Sequence, residues 1–208
     1  PARHFLGHLA AGAEAIGEGS DEERREIARQ IDEAARTVGF MQITGHGIPH
    51  ELLETAYAVA EQTFGLPEHS KQQYERPEIS RQRGYTSFGV ERAKDRAVAD
   101  LKEFWHVGAE LPAEHPLSKS GDVPANEYPS EVEAFRPTFR ALFDTMEQFA
   151  TDLLVAIGEH LGQPEAAFRE MVADGNSVLR IIHYPDNPNT IPGAVRAAQH
   201  EDINLLTM

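Results

Sequence analysis

The chain has 208 residues, 40% apolar and 25% charged, the make-up of a globular protein with one sizeable domain or two small ones. Its net charge of −15 argues against a uniform nucleic-acid or anionic-membrane binder. The lack of cysteine excludes disulfides, iron–sulfur clusters and cysteine nucleophiles, whereas the ten histidines leave metal ligation open.

In chain order, residues 1–20 lack the long apolar core of a signal peptide, and no later apolar run reaches the length of a membrane span, so a cytoplasmic location is expected. Residues 20–39 predict a first helix. Ser20 and Glu23 have capping-box spacing, Ile27, Ile31, Ala34 and Val38 repeat at helical intervals, and Gly39 ends the run. "FMQITGHGIP" gives a short strand over Phe40–Thr44 and a glycine-rich turn in which His46 is expected to hydrogen-bond locally. Pro49 opens a second helix closed by Gly65, and "PEHSKQQYE" predicts a third, shorter one.

Residues 77–100 are polar and aperiodic and are expected to form a long loop, the kind of segment that often carries function. Arg83, Tyr85 and Phe88 are its candidates for lining a substrate mouth. "LKEFWHVGAEL" then alternates as a strand, and it carries His106, a candidate packing or pocket residue. The longest helix is expected near residues 130–161. Phe135, Phe139, Leu142, Phe143, Met146, Phe149 and Leu153 form one apolar stripe, and Pro137 either kinks the helix or marks its true start. A short helix follows at "PEAAFREMVA". "SVLRIIHYP" is a β-branched strand bounded by Asn176 and Pro185, and "RAAQHEDINLLTM" is expected to return to strand. No internal repeat is present. Helices first and strands last suggest an antiparallel sheet flanked by helices.

The second of these strands places His200 and Asp202 at i and i+2, hence on one face, with Glu201 on the other. An imidazole nitrogen and a carboxylate oxygen are two parts of the 2-His-1-carboxylate facial triad of non-haem Fe(II) oxygenases. The pair alone is a weak signal, because His-x-Asp is common. His183, His46 and His106 are the other histidines within reach of a third-ligand role. His4, His8, His50, His69, His115 and His160 are expected at the surface.

Three blocks, "GFMQITGHGIP", "LRIIHYP" and "HEDINLLT", occur in one order around the long helix. Together they resemble the isopenicillin N synthase-like branch of the Fe(II)/2-oxoglutarate-dependent oxygenases over residues 23–208. The resemblance implies a double-stranded β-helix (jelly roll) core flanked by N-terminal α-helices. Residues 1–176 would form a helix-rich part of a single domain, and 177–208 the first part of the core. It implies Fe(II) held by His200 and Asp202, and Tyr184 contacting the 2-oxoglutarate cosubstrate. Plant relatives often have Asn where Ile182 stands and Tyr where His183 stands, so cosubstrate contacts are expected to differ in detail. The implied reaction is oxidation of a small organic molecule by O2, by hydroxylation, desaturation or ring closure, with decarboxylation of 2-oxoglutarate to succinate and CO2.

The family's second histidine and its Arg-x-Ser segment would both follow Met208. Further C-terminal polypeptide is therefore expected to complete the barrel. The alternatives are a cosubstrate-independent oxidase of the isopenicillin N synthase type and a non-catalytic binding protein on the same fold.

Overall fold

The computed structural model describes residues 7–8, 16, 19–92, 98–173, 175–186, 193–198, 200 and 204–208. The chain falls into two units. One holds Pro1–Pro49, Asp144–Gly175 and Met208, and the other holds His50–Phe143 and Asn176–Thr207.

In the first unit the expected first helix is α1, Asp21–Thr37. Its capping box is formed: the Glu23 amide donates to Ser20 Oγ at 3.4 Å, and the Ser20 amide donates to the Glu23 carboxylate at 2.8 Å. Ile27, Ala28, Ile31 and Ala34 make the buried face. The opposite face carries ion pairs at helical spacing, including Arg29 with Glu26 and Glu33 and Arg36 with Asp32. Gly39, at φ 82°, ends the helix. The strand expected over Phe40–Thr44 is only Met41–Gln42 (β2), paired in parallel with Gly7–His8 (β1).

The second unit begins with α2, His50–Phe64, and α3, Glu68–Gln72, at the expected places. Among its described residues, the region expected to be one long loop contains two elements. They are a single 3-10 turn at Pro77–Ile79 and a three-residue strand β3 at Gly84–Thr86. Only glycine fits at the start of β3. Gly84 has φ 76°, and a Cβ there would lie 2.2 Å from the Tyr74 carbonyl oxygen. Strand β4, Glu103–Gly108, follows the expected run and is buried throughout. A short helix α4 at Pro116–Ser120 follows, with the His115 Nδ1 accepting from the Leu117 amide.

Helix α5, Phe135–His160, is the long apolar helix. Pro137 falls in its first turn, where a missing amide costs nothing, so it marks the start and not a kink. The helix passes from the second unit into the first, where α6, Glu165–Val172, follows it.

Strand β5, Val178–His183, closes a three-stranded antiparallel sheet of order β3-β4-β5. Its register sets Glu103 opposite His183, Phe104 opposite Ile182, Trp105 opposite Ile181 and His106 opposite Arg180. Trp105 is fully buried at the centre of one sheet face, with Phe135 of α5 at 5.1 Å, Tyr74 at 5.3 Å and Tyr85 at 5.9 Å. Burial of a ring such as Phe135 is worth about 1.5–3 kcal/mol, which fastens the start of α5 to the sheet.

The strand expected over residues 197–208 does not form in its described part. There the Asn204 side chain donates to the Leu206 carbonyl at 2.9 Å and to Thr207 Oγ1 at 2.6 Å. Such local side-chain bonds turn the backbone and compete with a ladder. Asp202 and Glu201 lie outside the described residues. Among the described residues no helix is long and apolar enough to cross a membrane.

Candidate active site

Residues directly opposite in an antiparallel pair share a face of the sheet. Glu103, Trp105, His183 and Ile181 therefore lie on one side, and Phe104, His106, Ile182 and Arg180 on the other. Tyr85 joins the first side through its pairing with Trp105.

The first side holds a buried polar cluster around Glu103. Lys71 Nζ donates to Glu103 Oε2 at 2.7 Å and to the Phe64 carbonyl at 3.1 Å. The Tyr85 hydroxyl donates to the same carboxylate oxygen, and His183 Nδ1 lies 2.7 Å from Oε1. A carboxylate only accepts, so His183 carries its proton on Nδ1. Its ring also stacks on Phe64 at 5.1 Å. Burial pushes the Glu103 carboxyl up, but the bonds from Lys71, Tyr85 and His183 outweigh it and hold the group below the usual range. Burial and the Glu103 carboxylate raise the Tyr85 hydroxyl, so it stays a donor.

The structure places the three residues expected at a substrate mouth as follows. Tyr85 is fully buried and serves this cluster. Arg83 is fully buried too. Its guanidinium donates to the Gln82 carbonyl at 2.8 Å and to Asn176 Oδ1 at 2.6 Å, and it lies where a Cβ on Gly108 would be. It ties the entry of β3 to the residues leading into β5. Phe88 is half-buried in the segment after β3. His46 does bond across its own turn, accepting from the Ile48 amide at 3.1 Å.

The other side of the sheet brings together His106, Arg180 and, one step past β5, Tyr184. The β5 residues Val178, Arg180 and Ile182, and then Tyr184, are exposed, while Leu179, Ile181 and His183 between them are not. His106 Nδ1 donates to the Arg81 carbonyl at 2.8 Å, and its Nε2 accepts from Arg180 Nε at 2.7 Å. Arg81 and Ser80 both have left-handed backbones, at φ 56° and 55°, an uncommon choice for residues with a Cβ. Burial, with the neighbouring Arg180, lowers the His106 pKa to about 4. The Arg180 guanidinium lies 4.5 Å over the Phe104 ring and reaches Glu91 at 3.2 Å. Glu91 in turn pairs with Lys102 at 2.6 Å, and Lys102 with Asp100 at 3.2 Å. Sequence reasoning missed Arg180, Glu91, Lys102 and Asp100, because they meet only in the folded chain, where the β4–β5 register sets Arg180 beside His106 and ion pairs link it to Glu91, Lys102 and Asp100.

The segment that carries His200 is tied to this cluster. The Ala198 amide donates to Asp100 Oδ1 at 3.3 Å, and the Leu101 amide to the Val195 carbonyl at 2.9 Å. His200 is exposed, and its Nδ1 lies 2.8 Å from the Ala198 carbonyl. A carbonyl only accepts, so Nδ1 carries a proton. That is how a metal-binding imidazole is commonly held, with the far N–H on a carbonyl. His183 has its Nδ1 on Glu103 instead, on the side of the sheet away from Tyr184. Among the described residues no three His, Asp or Glu side chains converge as a metal-binding group, and the expected partner Asp202 lies outside them.

Residues 13–131 match the family described as non-haem dioxygenase in morphine synthesis, N-terminal. The chain is 29% identical over 170 residues to the 2-oxoglutarate-Fe(II) type oxidoreductase hxnY of Emericella nidulans, covering 79% of this chain and 49% of that protein. It is 26% identical over 197 residues to the 2-oxoglutarate-dependent dioxygenase tropC of Talaromyces stipitatus, covering 91% of this chain and 61% of that one. A crystal structure of a 2OG-Fe(II) oxygenase family protein from Caulobacter crescentus superposes with a TM-score of 0.76 at 33% identity, over 88% of this chain and 58% of that one. The fold is also that of a full-length Neurospora crassa protein solved with alpha-KG, at TM-score 0.77 and 24% identity over 97% of this chain and 63% of that one. The chain thus spans about half to three-fifths of the length of these curated relatives. The family match covers more than half of the chain, and the chain belongs to the non-haem dioxygenases, among the 2-oxoglutarate-Fe(II) oxygenases related to isopenicillin N synthase.

Proposed function

We propose that the protein is an Fe(II)- and 2-oxoglutarate-dependent dioxygenase of a small organic molecule. In this reading the described helices flank a jelly-roll core, β5 is one of its first strands, and further polypeptide supplies the closing strands and the remaining ligands. The single observation that carries the reading is the family membership. The His200 geometry supports it, because an imidazole with its Nδ1 on a backbone carbonyl is held as metal-binding imidazoles commonly are. His200 and Asp202 would hold Fe(II), and Tyr184 would contact 2-oxoglutarate. When bound, iron with 2-oxoglutarate supplies oxidation of substrate by O2 coupled to decarboxylation to succinate and CO2.

The chain's own contribution is positioning. The Ala198 carbonyl holds the His200 Nδ1, and the bonds from residues 195–198 to Asp100 and Leu101 anchor the segment before it. The Glu103 cluster holds His183, and with it the strand end from which Tyr184 projects. The cosubstrate-independent oxidase is disfavoured, because the relatives carry 2-oxoglutarate in their names. In the full-length protein, succinate release should require both Fe(II) and 2-oxoglutarate. Tyr184→Phe should weaken 2-oxoglutarate binding by about 0.5–1.5 kcal/mol, the value of one hydrogen bond. Isothermal titration checks this under anaerobic conditions, and unchanged affinity removes Tyr184 from the cosubstrate site.

A further inference from the structure

Arg180 is a cation on an otherwise apolar exposed row formed by Val178, Ile182 and Tyr184. It is held from three directions: by His106 Nε2 at 2.7 Å, by Glu91 at 3.2 Å and by the Phe104 ring at 4.5 Å. Its side chain is still 39% exposed, and its hydrogen bonds among the described residues come from Nε and Nη1, not Nη2. A mere ion pair with Glu91 does not account for this arrangement. Glu91 already has Lys102 at 2.6 Å, and pairing needs neither the fixed His106 tautomer nor the left-handed Arg81 that sets it. The Arg180 cluster is also joined, through Lys102 and Asp100, to the amide of Ala198, two residues before His200.

We propose that Arg180 is a specificity-determining residue, its Nη2 donating to a neutral carbonyl-type oxygen of a small molecule whose apolar body lies along Val178, Ile182 and Tyr184. This deepens the dioxygenase reading and rests on it for the identity of the site. The charge balance selects the oxygen type. Arg180 and Lys102 are matched by Glu91 and Asp100, and His106 is neutral because its Nε2 accepts. A substrate carboxylate would leave this group with uncompensated negative charge, in a chain whose net charge is already −15. A carbonyl takes the donor without adding charge. Arginine suits the task because its fork keeps Nη2 aimed while Nε and Nη1 are engaged.

The test uses the full-length protein and three probes: benzamide, benzoate and ethylbenzene, each titrated by ligand-observed NMR. Benzamide should bind more tightly than the other two. Arg180→Met should lower benzamide affinity about tenfold, the value of a hydrogen bond from a charged donor, and leave ethylbenzene unchanged. Arg180→Lys, which keeps the charge and removes the fork, should fall between. Equal benzamide affinity in Arg180→Met and wild type overturns the proposal, as does a wild-type protein that prefers benzoate or makes no distinction from ethylbenzene. Titration of 2-oxoglutarate with Fe(II) into the same variants separates the two readings. Unchanged affinity supports a substrate role, and a parallel loss puts Arg180 in the cosubstrate site and overturns it. If wild type binds no 2-oxoglutarate yet keeps an Arg180-dependent preference for benzamide, the dioxygenase reading has failed and the carbonyl subsite stands.

Discussion

His106 is buried on β4 as a neutral ring, donating from Nδ1 to the Arg81 carbonyl and accepting at Nε2 from Arg180. Its pKa falls from 6.5 to about 4, chiefly because burial disfavours the cation. The unfolded chain therefore binds a proton between those values that the folded chain does not. Stability is unaffected above about pH 6.5 and falls as pH drops toward 4, by about 2 kcal/mol at pH 5. Glu91 and Glu103 act lower. Both are held below 4.5 in the fold, so their contribution is present above that value and is lost at more acid pH. Urea unfolding at pH 7.5 and pH 5 should show the His106 loss in wild type and not in His106→Gln, whose amide can both donate and accept. Equal losses in the two proteins contradict the assignment. Glu103 predicts a second residue-scale result. Glu103→Gln leaves the Lys71 ammonium buried with only Glu68 as a carboxylate, at 3.5 Å, and should cost about 3 kcal/mol. Lys71→Met combined with it should cost much less than the two single changes together, and simple additivity would show the pair to be uncoupled.

Elements with a local signal were legible in the sequence, and those defined by distant partners were not. Helix α1 announces itself through Ser20, Glu23 and its apolar stripe; Ser20, Glu23, Ile27, Ile31 and Ala34 do in the structure what their spacing implies, while Val38 is an exposed C-cap just past the helix. Ser20→Ala should lower the unfolding free energy by about 1 kcal/mol, with Glu23→Gln costing less, since glutamine retains the return bond. A thermal melt indistinguishable from wild type would show the cap to be idle. Strand β3 gave no such signal. Three residues starting with glycine do not make a period, and β3 exists because β4 pairs with it and Gly84 admits the Tyr74 carbonyl. The same limit explains Arg83 and Tyr85, which look like loop residues in sequence and are drawn into the interior by Asn176 and Glu103. The segment around His200 erred the other way. Its apolar alternation predicts a strand, yet its described residues bond to Asp100 and to their own side chains.

For the whole molecule, the sheet has one covered side and one side on which Val178, Ile182 and Tyr184 remain exposed along β5. Such a face is what the proposed jelly roll would cover, and it is also where Tyr184, Arg180 and the anchored His200 segment gather. The family was legible from three short blocks because each is a local motif. The cluster around Arg180 was not, since the sheet register pairs residues 106 and 180, and residues 91 and 102 join them only by ion pairs formed in the folded chain. The central claim is that His200 is an iron ligand of a 2-oxoglutarate-dependent dioxygenase. Its most direct test is anaerobic Fe(II) titration of the full-length protein and of His200→Ala, with far-UV circular dichroism to confirm that both are folded. The account predicts tight, stoichiometric Fe(II) binding by wild type and its loss in the folded variant. A folded His200→Ala protein that binds Fe(II) as tightly as wild type would contradict it.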